Sequence, residues 1–246
     1  MELNLDCIIN ILKFLPFEER VKSSAVCKSW YGINHHLFDT VTVDIHKYYK
    51  NESYKAWVDK TKPKKYKLKA GGDMGLLDSF LQNTTTLCDR VRGIQTNSTE
   101  IVCTSIYTCE GLRELDMSNN FFNYTIDVSK FKTLSMFDAS STNLSALPAS
   151  VCTVPLEKLY LTFNNLQTLP NNFISLKHTL VTLDLSNNLF DFIPACVYDL
   201  ENLVVLNFSH NDLSFIHSDI SKLKKLKRLN MRCNGIRGIP STLCEM

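Results

Sequence analysis

One pattern constrains this chain more than its size or its charge does. From Leu112 onward the spacing L-x-x-L-x-L-x-x-N-x-L recurs, starting at Leu112, Leu134, Leu156, Leu180, Leu203 and Leu226, in steps of 22, 22, 24, 23 and 23 residues. A fixed period of this length marks stacked repeats, because one unit cannot bury its own apolar face and its neighbours must cover it. The fourth copy reads Leu180, Leu183, Leu185, Asn188, Phe190, Ile193, Pro194, Val197, Leu200. Alternating apolar residues such as Leu183 and Leu185 suit a short strand with one buried face. The asparagine column is Asn120, Asn164, Asn188, Asn211 and Asn234. An amide both donates and accepts, so it can satisfy turn backbone that faces the interior. Thr142 breaks the column, and a looser turn is expected there. Pro148, Pro170, Pro194 and Pro240 share one slot, which His217 takes in the fifth copy.

The pattern resembles the leucine-rich repeat family, and its L-P-x-x-hydrophobic ending resembles the Ras-suppressor-like branch. That resemblance implies an α/β solenoid with a curved parallel sheet. Six regular repeats are expected over 112–246. Residues 41–111 read as irregular leucine-rich-repeat-like units continuous with them. Val41, Val43 and Ile45 alternate as in a strand, Lys65 to Ala70 is extended, and Leu76, Leu77, Phe80 and Leu81 have helical spacing. Val91, Ile94, Thr96, Thr99 and Ile101 fit a degraded repeat, with Thr99 in the asparagine slot. Gly71-Gly72-Asp73-Met74-Gly75 matches no phosphate-loop spacing and reads as a repeat turn. The last repeat runs to Met246 with no capping segment, so a longer natural chain or a covering partner is expected.

The N-terminal 40 residues have another character. Ile8, Ile11, Leu12 and Leu15 form one helix face, and Pro16 ends that helix. Val26, Trp30, Ile33 and Leu37 form a second stripe, giving three short helices. With Leu3, Leu15-Pro16, Val26-Cys27-Lys28-x-Trp30 and Leu37-Phe38, the segment resembles an F-box, although Asn4 stands where the family's first proline is usual. The resemblance implies binding to a Skp-type adaptor, and through it to a cullin–RING ubiquitin ligase. The adaptor-binding residues it implies are Leu3, Ile8, Leu12, Leu15, Pro16, Val26, Cys27, Lys28 and Trp30.

In each repeat the variable strand positions face the concave surface and stack in columns. Most entries are small or polar. Met136, Tyr160, Phe163 and Val205 are the apolar exceptions, and Arg228 and Arg232 add a basic end. These six residues are the candidate site for a substrate protein.

Net charge is +2, which gives no global pull toward nucleic acid or membrane. The charge is uneven: His46 to Ala70 holds nine lysines against Glu52 and Asp59. Lys60, Lys62, Lys64, Lys65, Lys67 and Lys69 form its densest part, read as a solvated face, a nuclear import signal, or a site for an acidic partner or a phosphorylated ligand. Nine cysteines, an odd number with no C-x-x-C pair, argue against a disulfide framework or zinc ribbon, and the acidic start is unlike a secretion signal. A cytoplasmic or nuclear location is expected. No catalytic motif, cofactor motif or metal-ligand spacing occurs, so no enzyme activity is expected. Two readings follow: a substrate-recognition subunit of a ubiquitin ligase, or a free-standing repeat scaffold, for example for a small GTPase, with a vestigial F-box.

Overall fold

Short strands with a buried central residue need partners on both sides, and the repeat supplies them. The structure is a computed structural model that describes residues 40–60, 65–71, 74–84, 88–96, 104–120 and 127–245. The six regular repeats contribute strands Glu114–Asp116 (β4), Met136–Asp138 (β5), Lys158–Tyr160 (β6), Thr182–Asp184 (β7), Val205–Asn207 (β8) and Arg228–Asn230 (β9). Thr40–Asp44 (β1), Lys65–Lys69 (β2) and Val91–Gln95 (β3) join them in one open parallel sheet of nine strands, ordered as in the chain. The register is constant, with Leu115, Phe137, Leu159, Leu183, Leu206 and Leu229 in one row. All but the last are fully buried, and the core runs under the sheet the length of the stack.

The strand expected through Ile45 ends one residue earlier. Asp44 Oδ1 accepts the Lys47 N–H at 3.0 Å and caps helix α1, Ile45–Lys50. Ile45 is buried as the first residue of that helix. Glu52–Lys60 (α2) and Met74–Asn83 (α3) follow, with Leu77, Phe80 and Leu81 buried on one face of α3. Gly71 has φ 56°, the left-handed turn conformation that glycine adopts freely. Thr99, Ile101, Gly72, Asp73, Lys62, Lys64 and Met246 lie outside the described residues, as does the whole segment 1–39.

In the regular repeats the return path is mostly a short 3₁₀ segment. Pro148, Pro170 and Pro194 stand at the N-cap, where a fixed φ near −60° suits the entry. His217 fills the same slot and accepts the Asp219 N–H on Nδ1 at 3.2 Å.

The asparagines tie each repeat to the one before it. Asn188 Nδ2 donates to Leu185 O of its own turn at 3.1 Å and to Leu161 O of the preceding repeat at 2.9 Å. Its Oδ1 accepts the Leu166 N–H at 3.0 Å. Asn211 and Asn234 repeat this arrangement one and two units further on. At Thr142 the expected looser turn is not found. Thr142 is fully buried, its Oγ1 lies 2.6 Å from Ala139 O, and its N–H donates to Asn164 Oδ1 at 3.2 Å. A hydroxyl bonds the same kind of carbonyl that the amide reaches elsewhere, and Asn164 accepts from both Thr142 and Leu144.

Asn188→Ala would leave the Leu166 N–H and a carbonyl unsatisfied in the interior. At about 1–3 kcal/mol per orphaned group, a loss of about 2–6 kcal/mol is expected in urea denaturation. Asn165→Ala, on the exposed side of a neighbouring turn, is expected to change stability by less than about 0.5 kcal/mol.

Candidate functional site: the open face of the sheet

One face of the sheet is sealed by the core and the other is open. On the open face the register makes two continuous rows. The first runs Thr42, Lys67, Gly93, Glu114, Met136, Lys158, Thr182, Val205, Arg228. The second runs Asp44, Lys69, Gln95, Asp116, Asp138, Tyr160, Asp184, Asn207, Asn230. The face that accommodates Met136, Tyr160, Val205 and Arg228 is therefore shared by all nine strands. Met136, Tyr160 and Val205 are half-buried and Arg228 is exposed. A depression of about 550 Å³ at one end of the face is lined by Asp184, Val205, Asn207, Arg228 and Asn230 among others.

The second row has a structural task that Tyr160 does not share. Asp116, Asp138 and Asp184 each accept, on Oδ1, the N–H of the serine two residues on, at 2.9–3.0 Å. Asn207 does the same for Ser209, and Asn230 does so for Arg232. This Asp/Asn cap closes the turn after β4, β5, β7, β8 and β9. A tyrosine cannot supply it. The Thr162 N–H turns to Ser140 Oγ of the preceding repeat instead, at 3.3 Å.

Phe163 lies past the end of β6 rather than on the strand. Together with Asn119, Ser141, Asn187, His210 and Cys233 it forms a column of left-handed residues, φ 55–57°. Asparagine and histidine tolerate that conformation; a bulky phenylalanine there is an outlier. Its ring is 62% exposed, so burial does not repay the strain. Repeat three thus departs from the turn pattern at two positions, and both departures bring an aromatic side chain, half-buried at Tyr160 and exposed at Phe163. Arg232 lies two residues past β9 and is exposed.

The electrostatics of the face vary along its length. Lys65, Lys67 and Lys69 alternate on β2 with buried Tyr66 and Leu68, which puts all three lysines on the open side. Lys67 pairs with Glu114 across β3, where Gly93 leaves the space; a Cβ there would meet Lys67 Cγ at 3.1 Å. Beyond that pair Asp116, Asp138 and Asp184 make no ion pair with any described lysine or arginine. Burial first, and then the charges of Asp116 and Asp184, push the Asp138 carboxyl above the usual carboxylate range.

The sequence places Asp116, Asp138 and Asp184 in one column of the open face, among its small and polar entries, but assigns the acidic row no role. The D-x-S spacing at Asp116, Asp138 and Asp184 was its available signal. Leu189, Phe192 and Phe215 were missed in the sequence reading. They are exposed on the turns after β7 and β8, with Phe192 and Phe215 each four residues past a ladder asparagine. The candidate adaptor-binding residues Leu3, Ile8, Leu12, Leu15, Pro16, Val26, Cys27, Lys28 and Trp30 lie outside the described residues. Burial pushes the Cys152 thiol up to about 11, with Cys196 adding to the shift, opposite to the direction a nucleophilic thiolate needs. Among the described residues no group of three potential ligands could hold a metal ion, and no helix is long and apolar enough to cross a membrane.

Comparison with known proteins places family matches on both parts of the chain. The F-box domain model matches residues 1–33. The leucine rich repeat model matches residues 154–213 and 178–236. A leucine-rich-repeat protein of Leptospira interrogans aligns with a TM-score of 0.60 at 22% identity, covering 72% of this chain and 44% of that one. An internalin of Listeria monocytogenes gives a TM-score of 0.57 at 18% identity, covering 69% and 54%. The ectodomain of the Arabidopsis thaliana membrane receptor kinase GASSHO1/SCHENGEN3 gives 0.56 at 23%, covering 72% and 22%. The chain spans only part of each structure, and likeness at this identity shows the shared repeat fold. No curated protein sequence matches. Both matched families are typically interaction modules rather than enzymes.

Two expected outcomes follow from the geometry. Phe163→Asn removes a bulky residue from a left-handed position at little loss of burial, and should gain about 1 kcal/mol, or about 2–4 °C in thermal melting. A lower melting temperature would mean that the ring supports the fold. Because the folded chain raises the Asp138 carboxyl, its ionisation lowers stability as pH rises through the raised value. Asp138→Asn keeps the Oδ1 acceptor and should be the more stable protein near pH 7. In urea denaturation the difference should shrink as pH falls below the raised value and disappear at about pH 4.

Proposed function

Because the chain belongs to the F-box/leucine-rich-repeat proteins, we propose that it is a substrate-recognition subunit of a Skp–cullin–F-box type ubiquitin ligase. What supports this reading is the order of the two modules. An F-box segment carries apolar residues suited to a partner's helices, and after it in the chain comes a sheet with an open face. Recognition of this kind needs no chemistry from the subunit itself. It needs two separate surfaces held at a fixed distance.

On the adaptor side the residues are Leu3, Ile8, Leu12, Leu15, Pro16, Val26, Cys27, Lys28 and Trp30. Apolar helix faces dock in this way, and an aromatic anchor such as Trp30 carries a large share of the energy. On the substrate side they are Met136, Tyr160, Phe163, Val205, Arg228 and Arg232. The single observation that carries this second assignment is the double departure at Tyr160 and Phe163, where the turn gives up its Asp/Asn cap and accepts a strained phenylalanine. The reading places the protein in the cytoplasm or nucleus, where cullin–RING ligases act.

Co-expression with a Skp-type adaptor should give a stable one-to-one complex that Leu15→Asp with Trp30→Ala abolishes. Absence of a complex with the parent chain would replace the ligase reading with that of a free-standing repeat scaffold. In the adaptor-bound protein, Tyr160→Ala with Phe163→Ala should abolish substrate capture while leaving the adaptor complex and the melting curve intact. Unchanged capture would remove the substrate role from this face.

A further inference from the structure

Resting on that assignment of the open face, the partner's chemistry can be narrowed. We propose that the face takes an extended protein segment carrying an arginine, whose guanidinium lies on the Tyr160 ring between Asp138 and Asp184.

The register sets the geometry. Asp138, Tyr160 and Asp184 occupy the same position on three successive strands. Adjacent strands lie about 4.8 Å apart, so the two carboxylates flank the ring on either side and are separated by about 10 Å at the backbone. Asp116 adds a third carboxylate one strand further out. None of the three forms an ion pair with a described residue, while Glu114 beside them is neutralised by Lys67. Asp138 is half-buried like Asp116 and Asp184, and their charges add to the burial that raises its proton affinity against the lowering by its Ser140 hydrogen bonds. The centre of the face thus carries uncompensated negative charge next to an aromatic surface.

That combination selects a cation, and among cations a planar one. A guanidinium stacks on an aromatic ring through its face while its edge donates to carboxylates on either side. Asp138 Oδ1 holds the Ser140 N–H, leaving Oδ2 as an acceptor. Asp184 Oδ1 accepts both the N–H and the hydroxyl of Ser186, at 3.0 and 2.7 Å, and Oδ2 takes the Asn207 amide at 3.0 Å, which leaves the second lone pair of Oδ2 for a cation. Lys158 is on the same strand two residues before Tyr160 and repels a cation from that side. The arginine is therefore held on the far side of the ring, toward Phe163, whose exposed ring flanks it.

The fold supplies its own control. Asn207 and Asn230 already perform the cap that Asp138 and Asp184 perform, so Asp138→Asn with Asp184→Asn removes two charges and keeps the turns. Fluorescence anisotropy of the full chain would use labelled nona-arginine, nona-lysine and nona-glutamate at physiological salt. Nona-arginine should bind at least tenfold more weakly to the double asparagine variant than to Asp191→Asn with Asp212→Asn, which makes the same charge change away from the face. It should bind the parent chain at least threefold more tightly than nona-lysine, and Tyr160→Ala should erase that margin. Equal weakening by the two asparagine pairs, an equal affinity for both basic peptides, or preferred binding of nona-glutamate would each overturn the proposal. If Tyr160→Ala with Phe163→Ala abolishes substrate capture while nona-arginine ignores the aspartates, the arginine falls and the substrate face stands. If that aromatic variant captures substrate normally, the face itself falls.

Discussion

The buried asparagine amide is the interaction on which the rest of this structure depends. Strands of three residues cannot hold a register alone, since each offers few ladder hydrogen bonds. The amide adds contacts that reach both its own turn and the repeat before it. Asn188 satisfies Leu185, Leu161 and Leu166 at once, in an interior where none of those groups can find water. The same residue fixes the turn and measures the distance to the next unit. Because each repeat is tied only to its neighbours, stability accumulates along the stack in nearest-neighbour steps. A continuous face then follows from the constant register of β4–β9.

The parts of the fold that obey this periodicity were visible in the sequence. Leucine spacing gave the strands, the asparagine column gave the buried amides, and the proline slot gave the entry to each return segment. Other features were invisible for identifiable reasons. The left-handed column is filled by Asn119, Ser141, Phe163, Asn187, His210 and Cys233. They share a backbone conformation and no side-chain property, and no glycine flags them. The Lys67–Glu114 pair joins residues far apart in the chain and depends on the missing side chain of Gly93 between them. Ile45 continues the alternation of a strand, yet Asp44 captures the Lys47 N–H and starts a helix first. Thr142 looked like a defect because pattern reading compares residue names, whereas the interior requires a donor aimed at Ala139 O, and a hydroxyl provides one.

The candidate site was legible to a different degree. Tyr160 and Phe163 stood out as aromatic entries in otherwise polar columns. Their strongest distinction lies in what the other entries do. The acidic and amide residues that occupy the Tyr160 row elsewhere cap turns, which the composition of a column does not reveal. Knowing that task turns an unusual residue into a replaced function, and a replaced function needs a compensating reason.

That compensation also explains why the third repeat can depart from the pattern without unravelling the stack. The Phe163 N–H still donates to Ser186 O at 3.1 Å, in line with the equivalent bonds of its neighbours. Only the side chain is foreign; the backbone bond is retained. At Tyr160 the lost cap is replaced by a hydroxyl that Ser140 presents from the repeat before. The asparagine ladder beneath is untouched, since Asn164 keeps its bonds to Ala139, Leu161 and Leu144. Strain at the surface is thus separated from the interactions that set the register. A repeat array built this way can change the chemistry of its open face one position at a time, because the contacts that determine the fold lie on the other side of the strand.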